Sequence, residues 1–229
     1  MKLKVAIIAF IIIASIRPYF SQKTHSLIFS PTFGSSTLSL EHYYKIGDKD
    51  SVQINTLKFY VTAIELWQEK KLVWKEKNSF HLVDISNPRS LSAKLNLPSA
   101  INFTEIKFNL GIDSLTNVSG AMGGALDPTL GMYWTWQSGY INLKLEGKSN
   151  LCKTRNNEFQ FHLGGYLSPF LGAQHINVKS GGNNTTVTID IQKIINSIDL
   201  KTQNHIMSPC KEAVNLSEKI AKLISTQKF

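Results

Sequence analysis

Beyond residue 22, apolar and polar residues alternate over most of the chain, at the period of two that lays one face of a strand on a core. Ser26 to Ser30 and Ser36 to Tyr44 are predicted strands, Leu38 and Leu40 sharing a face in the second. Val52 and Ile54 lead into Leu57 to Trp67, LKFYVTAIELW, whose β-branched and aromatic residues suit a pleated surface. Gln68 to Lys71 is the tip of a hairpin that returns through Leu72-Val73-Trp74, and Phe80 to Asp84 is a further strand. Asn87-Pro88 and Leu97-Pro98 bracket a loop or short helix. Ile101 to Leu110 alternates, but its apolar side switches after Glu105, which predicts a bulge or burial on both faces.

Gly111 to Pro128 has no periodicity and is rich in Gly, Asp and Asn, the composition of a functional loop. Tyr133 to Leu145 follows as a strand pair or one long strand, then Phe159 to Leu163, His175 to Val178 and Thr185 to Ile191. The period changes only near the end. Asp190 is placed to cap a helix with Ile191, Ile194, Ile195 and Ile198 on one side. Ser208-Pro209 opens a second helix bearing Ala213, Leu216, Ile220, Leu223 and Ile224. The expected fold is mainly β: a single β-sandwich domain over residues 22–229 with one or two short helices near the C-terminus.

Residues 1–21 belong to another category. Lys2 and Lys4 precede a short apolar run from Val5 to Ile16, closed by Arg17-Pro18, the layout of a signal peptide. The apolar run is too short to span a bilayer, so the mature chain is expected in the periplasm or outside the cell. Removing three basic residues with this segment leaves 22 against 16 acidic ones, or +6. These charges are spread thinly, without the basic clusters and stacking aromatics of a nucleic-acid binder. In an oxidising compartment the pair Cys152 and Cys210 predicts a structural disulfide, stabilising by roughly 3–4 kcal/mol; copper ligation by two thiolates is the alternative.

None of the six histidines (25, 42, 81, 162, 175 and 205) forms an HxH, HExxH or His/Cys motif, and no nucleophile elbow, P-loop or dinucleotide fingerprint is present. A binding protein, not an enzyme, is expected. The densest unusual stretch is LDPTLGMYWTWQSGYINLKLEG, residues 126–147. On a strand, Trp134 and Trp136 would point to one face beside Met132, either as core or as the floor of a ligand or metal pocket. Calcium bound by oxygens of the Asp113/Asp127 loop fits either reading.

Taken in order, FYVTAIEL, FNLGIDS, GALDPTLGMYWTWQSGY, LEG and FHLGG resemble the MbnP-like family of exported bacterial proteins over roughly residues 26–229, in its Bacteroidetes-type branch. The resemblance implies a periplasmic copper-binding protein partnered with a MauG-like dihaem peroxidase, which oxidises a tryptophan to kynurenine. It marks Trp134 or Trp136 as the oxidised residue and His162, of the HLG segment, as the imidazole ligand. His81 is a second candidate, with His205 and His42 in reserve. The chain departs from the proteobacterial branch in having two cysteines where that branch has four, and in having no His within four residues of either tryptophan. The rival class is a secreted recognition module whose aromatics contact a glycan or a protein.

Overall fold

A computed structural model describes residues 22–137, 139–180 and 182–225, so the expected signal segment lies outside the described residues. The strands are β1 (Gln22–Phe33), β2 (Ser36–Thr37), β3 (Tyr43–Ile46), β4 (Asp50–Gln68), β5 (Lys71–Lys75) and β6 (Phe80–Asp84). Next come β7 (Ser92–Pro98), β8 (Glu105–Leu110), β9 (Tyr133–Trp134), β10 (Gly139–Ser149) and β11 (Glu158–Gly164). The last are β12 (Tyr166–Leu167), β13 (Phe170–Leu171), β14 (Gln174–Lys179), β15 (Asn184–Asp190) and β16 (His205–Ile206). Among the described residues they are accompanied by the helices α1 (Ser114–Val118), α2 (Ile191–Asn196) and α3 (Lys211–Ser225).

The fold is mainly β, as expected, and most of the strands form two sheets. In the smaller, β1 lies between β7, antiparallel, and β15, parallel. The larger runs β14-β8-β4-β10-β11-β16, with β3, β5 and β6 also paired to the long β4. The main core fills the space between the sheets. Phe29 of β1 packs edge-on against Phe59 of β4 and Phe108 of β8, with ring centroids 5.7 and 6.0 Å apart. A second, smaller core lies on the other face of the large sheet: Tyr60, Ile112, Leu126, Met132, Trp134, Tyr140 and Ile141. Burial of β4 on both faces explains why its run YVTAI does not alternate cleanly.

Both C-terminal helices form as their periodicity predicts. The Asp190 carboxylate accepts from the Gln192 and Lys193 amides at the start of α2, and α3 turns Ala213, Leu216, Ile220 and Ile224 into the core. Four local expectations are corrected. Ser36 to Tyr44 is not one strand, because Glu41 adopts a left-handed φ of 58° and breaks the extended run between β2 and β3. The stretch between the two prolines holds strand β7 after a single 3-10 turn, with Ala93, Leu95 and Leu97 buried in alternation. The strand expected from Ile101 begins only at Glu105. The preceding residues are a connection whose Phe103 packs on His25 at 5.0 Å, so no bulge is needed there.

The fourth correction concerns the cysteines. Cys152 and Cys210 are free thiols, and the expected bridge is not formed. Cys152 is buried as a small apolar residue of the main core, while the Cys210 sulfur accepts the Ala213 amide at 3.4 Å, serving as a cap of α3. Burial raises both thiols above their ordinary range.

Candidate metal centre

Register places the candidate residues. Asp84 of β6, Lys58 of β4, Lys144 of β10 and His162 of β11 are successive cross-strand partners, and this row lies on the face that carries the second core. Lys58 binds Asp84 at 2.9 Å and donates to the Leu130 carbonyl at 3.3 Å, while Lys144 donates to the Gly131 carbonyl at 2.7 Å. Two cations thus close the C-terminal end of the 3-10 turn Pro128–Leu130, where unpaired carbonyls gather. They tie down the loop that delivers Trp134. Burial lowers the Lys144 ammonium from its usual range.

The same loop is pinned by phenols and amides. The Tyr60 hydroxyl donates to the Ala125 carbonyl at 3.1 Å; that of Tyr140 donates to the Leu126 carbonyl and accepts from the Met122 amide. Burial, reinforced by neighbouring Tyr140 and Asp127, raises the Tyr60 phenol. Asn117 is buried and fully used, accepting from the Tyr140 amide and donating to the Ile112 and Asp113 carbonyls. The two loop aspartates are caps: Asp113 accepts from the Thr116 amide and hydroxyl, Asp127 from those of Thr129. One oxygen of each accepts a backbone amide, no metal-binding cluster includes either among the described residues, and the calcium reading has no support.

Trp134 and Trp136 do not share a face. The strand ends at Trp134, and a turn follows in which the Gln137 amide donates to the Trp134 carbonyl at 3.4 Å. Trp134 is 5% exposed and Trp136 66%, with ring centroids 6.0 Å apart and planes tilted by 51°. The six-membered ring of Trp134 lies on Gly164: a Cβ built there would stand 2.6 Å from Cζ3 and 2.8 Å from Cη2. The WxW and HLGG segments are therefore packed together. Trp134 Nε1 is buried without a hydrogen-bond partner among the described residues, as is Gln137 Oε1.

His162 is two residues before Gly164 on the same strand face, about 7 Å along β11. It is buried, and its Nε2 pairs with Glu146 Oε1 at 2.6 Å across the β10–β11 ladder. The His162 hydrogen bond, helped by Thr56 and Lys144, holds the Glu146 carboxyl down at about 2 despite its partial burial. Sequence reasoning missed Glu146. It stands inside the quoted LEG segment, but its meeting with His162 depends on a hairpin register that only the paired strands reveal.

The remaining histidines are elsewhere. His81 lies between Phe80 and Leu82, which face the second core, and so points to the other side of β6, where its Nε2 meets Glu76 at 2.7 Å. Burial pushes the Glu76 carboxyl up, but hydrogen bonds from His81 and Ser79 outweigh it and hold the group low. His205, exposed on β16, is the register partner of Gln160 and shares the outer face with His162. His42 is exposed beside Tyr44, and His175 bonds Asn109 at 2.7 Å. Among the described residues no three His, Cys, Asp or Glu side chains converge as a metal site. Of the predicted set, Trp134 packs on Gly164 of the strand that carries His162; Trp136 is exposed beside Trp134, and His81 lies on the other face of the sheet.

The fold and this site define a class: a two-sheet β-sandwich whose large sheet carries, on its outer face, a buried tryptophan packed on the strand that also bears a His–Glu pair. A family model, MbnP, matches residues 22–209, and the chain belongs to that family, one associated with copper. The solved structure of MbnP from Methylosinus trichosporium superposes with a TM-score of 0.63 at 13% identity, covering 85% of this chain and 87% of that one; at this identity it bears on the fold alone. No curated protein matches the sequence.

Proposed function

We propose that this chain is an exported, non-catalytic copper-binding protein whose site is completed when a MauG-like dihaem peroxidase oxidises Trp134 to kynurenine. The observation that carries the reading is the packing of Trp134 on Gly164, two residues from His162. The unmodified side chains do not suffice. His162 and Glu146 offer an imidazole and a carboxylate, and an indole adds no ligand, so the donor set is incomplete. Ring opening would add an aniline nitrogen and a ketone beside the imidazole. Imidazole and amine nitrogens suit copper, the strongest-binding divalent ion of its row. His205 is the next imidazole in register along the same face. The orphaned Nε1 of Trp134 supports the choice of this ring over Trp136, since the indole is poorly accommodated where it is buried.

Copper titration of protein purified from its own host, against protein made in a heterologous host, tests the reading. Host-derived protein should bind, the unmodified chain should bind weakly, and Trp134→Phe and His162→Ala should each remove the difference. Equal binding in all four samples would refute it. A second reading, a recognition module for a glycan or protein, draws on one observation: Trp136 is exposed among other apolar side chains. A glycan platform would need both rings presented, and only one is.

A further inference from the structure

The two ring nitrogens of His162 are not equally open to a metal. We infer that Glu146 is a positioning residue: by taking the Nε2 proton it fixes the His162 tautomer, so that a copper ion is ligated through Nδ1. The inference rests on the reading of His162 as the imidazole ligand.

The hydrogen bond itself decides which nitrogen is free. Glu146 Oε1 and His162 Nε2 are 2.6 Å apart across the β10–β11 ladder, and the histidine is only 6% exposed. The hydrogen bond from His162, with help from Thr56 and the charge of Lys144, holds the Glu146 carboxyl ionised. A carboxylate can only accept, so the proton in this bond belongs to the imidazole. In the neutral ring Nε2 then carries the hydrogen and the lone pair lies on Nδ1. A protonated ring nitrogen has no lone pair in the ring plane to offer a metal.

Nδ1 is uncommitted. Among the described residues no group hydrogen-bonds to it, and it is not among the polar atoms sealed in the interior without a partner. It keeps contact with solvent on an otherwise buried side chain. Lys144, the cross-strand partner of His162, donates to the Gly131 carbonyl at 2.7 Å and leaves the carboxylate to the imidazole.

Register gives the direction. Glu146 stands opposite Gln160, two residues before His162, whereas Trp134 rests on Gly164, two residues after it. The hydrogen bond therefore draws the Nε2 edge of the ring toward the end of the row remote from Trp134. Ligation through Nε2 would require breaking this bond and placing the metal on the Glu146 side, away from the ring that is to supply further donors. A carboxylate on the non-ligating nitrogen also locks the ring and raises its basicity, and loss of such a partner lowers metal affinity by about tenfold to a hundredfold.

Nitrogen-15 NMR is the test. In the unmodified, metal-free chain, long-range correlations should show His162 protonated at Nε2; a predominant Nδ1–H form overturns the inference. Labelled protein from the native host is then titrated with Cu(I), which is diamagnetic. The Nδ1 resonance of His162 should move while the Nε2–H signal persists. Movement of Nε2 with loss of its proton overturns the inference and leaves His162 a ligand. In host-derived Glu146→Gln, shown to be folded by circular dichroism and to carry the same kynurenine content as wild type, Cu(I) affinity should fall by about tenfold to a hundredfold. Unchanged affinity overturns the positioning role. Glu76→Gln, which alters the corresponding pair with His81 on the other face, should bind as wild type. An equal fall there would be an effect on the fold at large and also overturns the role. Host-derived wild type that binds no Cu(I), or binds it without change at His162, overturns the parent reading and this one with it.

Discussion

Gly164→Ala probes the contact on which the candidate site depends. The added methyl carbon would stand 2.6 and 2.8 Å from two atoms of the Trp134 ring and 2.7 Å from the Tyr140 carbonyl oxygen. The carbonyl belongs to a paired strand and yields little; the ring is wedged in the second core. Overpacking of this kind costs about 2–3 kcal/mol. For a domain of this size that lowers Tm by about 4–12 °C. Trp134→Phe removes the two crowded ring atoms, at the price of a cavity costing about 1–3 kcal/mol. If the ring is the main obstacle, the double variant should be more stable than the sum of the singles by about 1 kcal/mol or more. Urea unfolding followed by far-ultraviolet circular dichroism measures all four corners of this cycle. A neutral Gly164→Ala, or strict additivity with Trp134→Phe, would show that the HLGG strand and the WxW turn do not touch as described.

Acid should draw on the Glu146–His162 pair. The folded Glu146 carboxyl is depressed to about 2, so its contribution is complete above the ordinary 4.5 and drains away as pH falls from there toward 2. After discounting for its partial exposure to solvent, that contribution is about 1–2 kcal/mol, and the stability gap between wild type and Glu146→Gln should shrink from pH 7 to pH 3; a constant gap would contradict the assignment. Trp136→Ala should change stability by less than about 0.5 kcal/mol while removing the solvent-exposed part of the tryptophan emission, because its ring is largely in water. Denatured protein prepared without reductant should titrate as two thiols per chain, and reductant should not shift its melting; a single slow melting transition abolished by reductant would speak for a bridge.

Much of the architecture is legible from local chemistry. The hairpin at Gln68–Lys71, the strand β11 and both C-terminal helices follow from periodicity, turn residues and the Asp190 cap, all of which act within a few residues. The misreadings have a common cause. A left-handed Glu41 interrupts an otherwise alternating run, and β7 hides between two prolines although Ala93, Leu95 and Leu97 announce it. At the candidate site, Trp134 and Trp136 have identical local signals, and two-residue spacing predicts one shared face. The chain turns at residue 135 because Gln137 closes onto the Trp134 carbonyl, which sends one ring inward and leaves the other in solvent.

By itself, then, the sequence determined what short-range forces decide: a mainly β chain, its two C-terminal amphipathic helices, and the family its motifs spell. The tertiary structure alone decided which distant groups meet. It set Glu146 on His162, laid Trp134 over Gly164, kept His81 on the opposite face and left both thiols unpaired. The meetings of Glu146 with His162 and of Trp134 with Gly164, and the placing of His81, depend on strand register and on which face of a two-sided sheet is covered, since a slip of one residue in pairing turns a strand's side chains to the other face.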